Sequence, residues 1–148
     1  MKNDRPGSAD EIRDDLNMTM HWRGGWRFES ARADGPSILM DGHSTDAPSP
    51  PEALISALAA CTAIDVVAIL EKRRTEPVAV EVAIRAERSD DKPRRITKVH
   101  LAYRITGSNI DRAQAERAID LGVTKYCTVR DSLDPEMPVL WSLELVEG

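Results

Sequence analysis

Residues 49–74, SPPEALISALAACTAIDVVAILEKRR, contain an apolar run that carries a single charge, Asp65, between Ala53 and Leu70. Its boundaries are those of a helix. Ser49 is placed as an N-cap, Pro50 sits where a missing N–H does no harm, and Glu52 completes an S-x-x-E capping box. Glu71 ends the apolar run, and Lys72, Arg73 and Arg74 set positive charge against the negative end of the helix dipole. A helix this apolar has to be covered on nearly every side. A membrane would be one cover, but the run is short for a bilayer, rich in Ala rather than Leu, and holds Asp65 near its centre. The sequence therefore predicts the central helix of a soluble core, with no membrane partner.

The chain has 148 residues, enough for one domain with its own interior. A net charge of −5, with no basic stripe interleaved with aromatics, speaks against sequence-independent nucleic-acid binding. The first fifteen residues, MKNDRPGSADEIRDD, have no apolar core of a signal peptide, so the expected compartment is the cytoplasm. A cysteine pair there is expected to be reduced, catalytic or metal-bound rather than a permanent staple.

Residues 1–16 read as a flexible tail and residues 17–148 as a single domain. Met18, Met20 and Trp22 alternate with Thr19, His21 and Arg23, and Gly24-Gly25 reads as a two-residue hairpin turn. That turn pairs Arg23 with Trp26 and sets Arg27 across from Trp22, giving one arginine to each face. A short strand over 37–40 follows, then a loop into the central helix. Beyond it, Val78, Val80, Val82 and Ile84 alternate with polar or small residues, as do Val99, Leu101, Tyr103 and Ile105, which predicts two antiparallel strands. Ala115, Ala118, Ile119, Gly122, Val123 and Tyr126 recur at helical spacing, with Cys127 at or just past the helix end, and residues 139–146 alternate as a closing strand. These elements make an α+β domain of antiparallel sheets packed around a long buried helix. So short a chain covers such a helix poorly, which predicts a homodimer.

Chemistry-bearing residues are few: Cys61, Cys127, His21, His43 and His100, with no phosphate-binding glycine loop and no paired metal-ligand spacing. No metal and no cofactor is expected. Cys61 is either a small apolar filler or a reactive thiol, and reactivity needs a cation brought by the fold, since Cys61 lies too far into its helix for the dipole to act. Asp65 shares its helix face, and an unpaired carboxylate there opposes thiolate formation.

The hairpin, the segments ILMDG at 38–42, APSP at 47–50 and AACTAIDVV at 59–67, and YCTV after the second helix together resemble the OsmC/Ohr family of organic hydroperoxide reductases, closest to its less characterised branch. The resemblance implies an OsmC-like fold, an intertwined dimer, and a two-cysteine peroxidase acting in oxidative stress defence. Cys61 would attack an organic hydroperoxide and become a sulfenic acid, and Cys127 would close a disulfide that a small dithiol or dithiol protein reduces. The family's thiolate-holding arginine matches Arg23, with Arg27 second. Its glutamate matches the position of Pro51, and Glu52 comes one residue later, a rotation of about 100° on a helix. Glu52 is thus either catalytic or only a cap. Two other readings stay open: a binding or sensor protein for an apolar ligand, and an enzyme using Cys61 as a nucleophile towards electrophiles such as thioesters.

Overall fold

The computed structural model describes Arg13 and residues 15–148, so most of the expected tail lies outside the described residues. The chain divides between Pro50 and Pro51 into two compact units. The first holds β1 (Thr19–Trp22), β2 (Arg27–Ala31) and β3 (Ser37–Asp41), paired antiparallel in that order. The first hairpin departs from the expected register. Trp22 faces Phe28, so Arg23 stands opposite Arg27, and Arg23 N–H bonds the Arg27 carbonyl at 2.9 Å. The turn takes in Trp26 as well as Gly24 and Gly25, whose φ values of +90° and +58° suit glycine. One added loop residue moves every side chain to the other face, so both arginines share one face of the sheet instead of being split between two. The opposite face presents Met20, Trp22, Phe28, Ile38 and Met40, most of them exposed.

After β3 the chain is held by Asp41, a buried carboxylate that accepts the backbone N–H of His43 at 2.9 Å, Thr45 at 3.3 Å and Asp46 at 3.0 Å. Those bonds, Asp46 foremost, hold its carboxyl below the usual carboxylate range.

The second unit contains α1 (Pro50–Lys72), β4 (Ala79–Arg88), β5 (Ile96–Gly107), α2 (Arg112–Leu121), a π-helical turn (Gly122–Tyr126), α3 (Thr128–Asp131) and β6 (Val139–Glu147). Strand order is β4-β5-β6, with β4 and β5 antiparallel as expected. The last pairing corrects the all-antiparallel expectation: β6 runs parallel to β5, Leu101 beside Trp141 and Tyr103 beside Leu143. The connection through α2, the π-turn and α3 is the long crossover that parallel neighbours need.

Val99, Leu101, Tyr103 and Ile105 are buried on one face of β5, and the Leu58, Val66 and Leu70 stripe of α1 joins them in a single core. Each of these side chains contributes about 1.5–3 kcal/mol by leaving water. The Thr62 hydroxyl donates to the Ala59 carbonyl at 3.0 Å, so towards Tyr103 it accepts, and the buried Tyr103 hydroxyl is satisfied by it. By length and composition α1 could cross a membrane. Within the chain only one stripe of it is buried, while Ile64 remains 68% exposed and Leu54 42%. The expectation of cover on nearly every side is therefore not met by the described residues.

Candidate active site

Cys61 sits at the edge of the buried stripe of α1, half-buried, and Cys127 leaves the π-turn buried. Both are free thiols, and Cys61 lies near enough to Cys127 to act on its proton affinity. Gly122 makes this possible. A Cβ there would stand 3.1 Å from the Thr62 carbonyl oxygen and 3.5 Å from the Asp65 Cβ, so the bare glycine lets the π-turn press directly on α1 one residue past Cys61. The π-turn closes with the Cys127 N–H on the Gly122 carbonyl at 3.2 Å, and Cys127 then takes extended backbone angles, φ −74° and ψ 110°. That geometry makes it the N-cap of α3, with Sγ accepting the Arg130 N–H at 3.2 Å. Arg130 is anchored in turn, its guanidinium donating to the carbonyls of Asp134, Pro135 and Met137.

Burial pushes the Cys127 thiol up to about 11; the Arg130 N–H works against this and the neighbouring Cys61 adds to it. Tyr103 is pushed up to about 12, first by burial, with Cys127 and Asp65 contributing. Cys127 is therefore a thiol at neutral pH. In a Cys61→Ser protein we expect its alkylation by iodoacetamide to keep accelerating past pH 9.5, about tenfold per unit at first. A rate that is half-maximal near pH 8.5, where an ordinary thiol is half ionised, and level by about pH 9.5 would contradict the assignment. Because folding raises this pKa, the group contributes stability below about pH 8.5. That contribution is lost as pH climbs towards about 11.

Asp65, on the same side of α1 as Cys61, keeps one buried carboxylate oxygen, Oδ2, without a hydrogen-bond partner. Arg23 and Arg27 belong to the first unit, where each meets a carboxylate: Arg23 bonds Glu29 at 3.1 Å and Arg27 bonds Asp46 at 3.2 Å. Glu52 lies in the first turn of α1, exposed and engaged in an interaction of its own. On an unbroken helix the nine positions from Glu52 to Cys61 amount to about 900° of rotation, so the two side chains leave opposite sides of α1, roughly 13 Å apart along its axis. Sequence reasoning passed over Thr62, Tyr103, Gly122 and Arg130. A tyrosine on the inward face of a strand, whose hydroxyl needs a partner, and a glycine inside a helical pattern were the available signals. Among the described residues no cluster of three or more His, Cys, Asp or Glu could hold a metal.

Residues 42–142 match the profile of the OsmC-like protein family. The chain is 41% identical to protein YhfA of Escherichia coli K12 over 132 residues, 88% of this chain and 98% of YhfA. Its fold is shared by a hypothetical protein of Aquifex aeolicus, at a TM-score of 0.80 and 20% identity over 92% of this chain and 99% of that one. The organic hydroperoxide resistance protein OhrB of Bacillus subtilis superimposes at a TM-score of 0.56 and 15% identity, over 88% of this chain and 98% of OhrB. With the profile spanning more than half the chain and a relative this similar over nearly its full length, the protein belongs to the OsmC-like family.

Proposed function

We propose that this protein is a cytoplasmic two-cysteine peroxidase that reduces organic hydroperoxides in oxidative stress defence. The observation that carries the reading is that the two cysteines of the chain, one on α1 and one at the end of the π-turn, are neighbours, Cys61 acting on the proton affinity of Cys127. A lone buried cysteine is most simply a packing residue; two unpaired thiols brought together from distant segments are poised for a disulfide. The shared fold with OhrB supports the same reading.

In it, the Cys61 thiolate attacks the terminal oxygen of the hydroperoxide, the O–O bond breaks, an alcohol leaves, and Cys61 becomes a sulfenic acid. Cys127 attacks that sulfur, water leaves, and a dithiol reductant restores both thiols. Arg23 is the candidate to hold the thiolate and orient the peroxide, and to do so it has to give up or share Glu29. Glu52 is assigned to the helix start alone. The protein acts as a homodimer: the bare outer face of α1, where Ala60, Ile64, Val67 and Ala68 border a groove of about 480 Å³, needs a second copy to cover it.

The test is steady-state turnover with a dithiol reductant, comparing cumene hydroperoxide with hydrogen peroxide. We expect turnover with both and a preference for the organic peroxide; no consumption of either contradicts the reading. One observation favours a second reading, binding of an apolar ligand. The first unit carries an apolar recess of about 570 Å³ lined by Met20, Trp26, Phe28 and Met40. Stoichiometric ligand binding that survives Cys61→Ser, without peroxide turnover, would select it.

A further inference from the structure

Closing the disulfide poses a problem that the residues around the two thiols define. Cys127 must attack as a thiolate, yet it is buried and carries its proton at neutral pH. A group nearby has to take that proton. Among the described residues, the titratable or charged side chains tied to this junction are Tyr103 on β5, on which Cys127 and Asp65 both act, Arg130 on α3, whose N–H bonds the Cys127 Sγ, and Asp65 on α1, whose Cβ borders Gly122. Tyr103 donates its hydroxyl hydrogen to Thr62 and holds it tightly. Arg130 has no acceptor atom and spends its guanidinium on three carbonyls. Asp65 is different. Its Oδ2 is, among the described residues, the one buried side-chain oxygen or nitrogen with no hydrogen-bond partner. It lies one helical turn beyond Cys61, and its Cβ borders Gly122, whose carbonyl receives the Cys127 N–H. A buried carboxylate oxygen left unbonded is costly, and its retention at the junction of the two cysteine-bearing segments points to use in the reaction.

We propose that Asp65 accepts the proton of Cys127 when Cys127 attacks the Cys61 sulfenic acid. The inference rests on the peroxidase reading above. In balance, the Cys127 S–H bond breaks and its proton passes to the Asp65 carboxylate. The sulfur's electron pair then forms the S–S bond, and the S–O bond of the sulfenic acid breaks with its electrons. The departing hydroxide recovers a proton from Asp65 and leaves as water. In this step the Cys127 sulfur is oxidised and the Cys61 sulfur, which the hydroperoxide had oxidised to the sulfenic acid, is reduced to the disulfide level. Asp65 ends as it began.

The experiment mixes reduced protein with one equivalent of cumene hydroperoxide and follows two steps separately: sulfenic acid, trapped with dimedone and weighed, and disulfide, from the intact mass after quenching. Asp65→Asn should form the sulfenic acid at least as fast as the wild type, since a carboxylate that opposes the Cys61 thiolate is gone, and close the disulfide about 100-fold more slowly at pH 7. Its closing rate should rise about tenfold per pH unit as solvent base substitutes, against a shallower wild-type profile. Asp65→Glu should recover part of the rate. Circular dichroism establishes that each variant is folded, and Asp65→Ser carries the same expectation should the amide not fold. Disulfide closing in Asp65→Asn at the wild-type rate and with the wild-type pH profile overturns the proposal. Absence of sulfenic acid and disulfide in every protein, wild type included, instead overturns the peroxidase reading, and this inference with it.

Discussion

Cys61→Ser is expected to remove peroxide turnover almost completely, by at least about 1,000-fold, because the atom that attacks the peroxide is gone. Cys127→Ser is expected to behave differently: it should consume one equivalent of organic hydroperoxide and then stop, with Cys61 held as a sulfenic acid that dimedone captures. The asymmetry follows from where the two residues sit. Cys61 is half-buried at the edge of the α1 stripe, while Cys127 is buried and its sulfur is engaged by the Arg130 N–H at 3.2 Å. A serine at 127 keeps an acceptor for that N–H and suits an N-cap, so the variant should fold and isolate the chemistry. Stopped-flow consumption of cumene hydroperoxide with and without a dithiol reads both variants. Equal residual turnover in the two would contradict the division of roles.

Gly122→Val is expected to lower both stability and the rate at which the disulfide closes. Two effects oppose each other at this position. Replacing a helical glycine by alanine gains up to about 1 kcal/mol in backbone entropy. Against that, the new Cβ would lie 3.1 Å from the Thr62 carbonyl oxygen, a backbone atom that cannot rotate away. Overpacking of this kind costs about 1–3 kcal/mol, so alanine is close to balanced and valine, larger and a poorer helix former, is not. A loss of roughly 2 kcal/mol in urea unfolding is the expected result for valine. The same strain parts α1 from the π-turn, and since the Gly122 carbonyl holds the Cys127 N–H, Cys127 moves away from Cys61. Disulfide closing should therefore slow by at least about tenfold, more than the stability loss alone would cause in protein that remains folded. Unchanged stability and unchanged closing would refute the packing role given to Gly122.

Where the chain's local signals were strong, the fold could be read directly. The capping residues and cationic end around 49–74 bound α1 to within two residues, and the period-two patterns of 78–87 and 98–105 named the inward faces of β4 and β5. The misreadings have tertiary causes. Gly24-Gly25 by itself suits a two-residue turn; that Trp26 joins the loop is set by the pairing of Phe28 with Trp22 and of Met40 with Phe28 across the sheet. Alternation within 139–146 identifies a strand but carries no information about direction, so the parallel neighbour β5 was invisible. Helical spacing through Tyr126 concealed the switch to a π-turn at Gly122, although glycine in that pattern was a local sign of a break. For the site, Cys61 and Cys127 were legible as residues, but their meeting depends on a glycine whose value is a contact with Thr62 and Asp65. The partners of Arg23 and the opposed directions of Glu52 and Cys61 likewise follow from register and rotation, not from residue identity.

The central claim is that Cys61 and Cys127 of one chain form a redox pair. It is tested most directly by treating reduced protein with one equivalent of cumene hydroperoxide, digesting it without reductant, and mapping the sulfur linkages by mass spectrometry. The account predicts loss of both thiols and a single linkage joining the peptide of Cys61 to that of Cys127, in chains that remain separable under denaturing conditions. Two surviving thiols, or disulfides joining one chain to another, would contradict it.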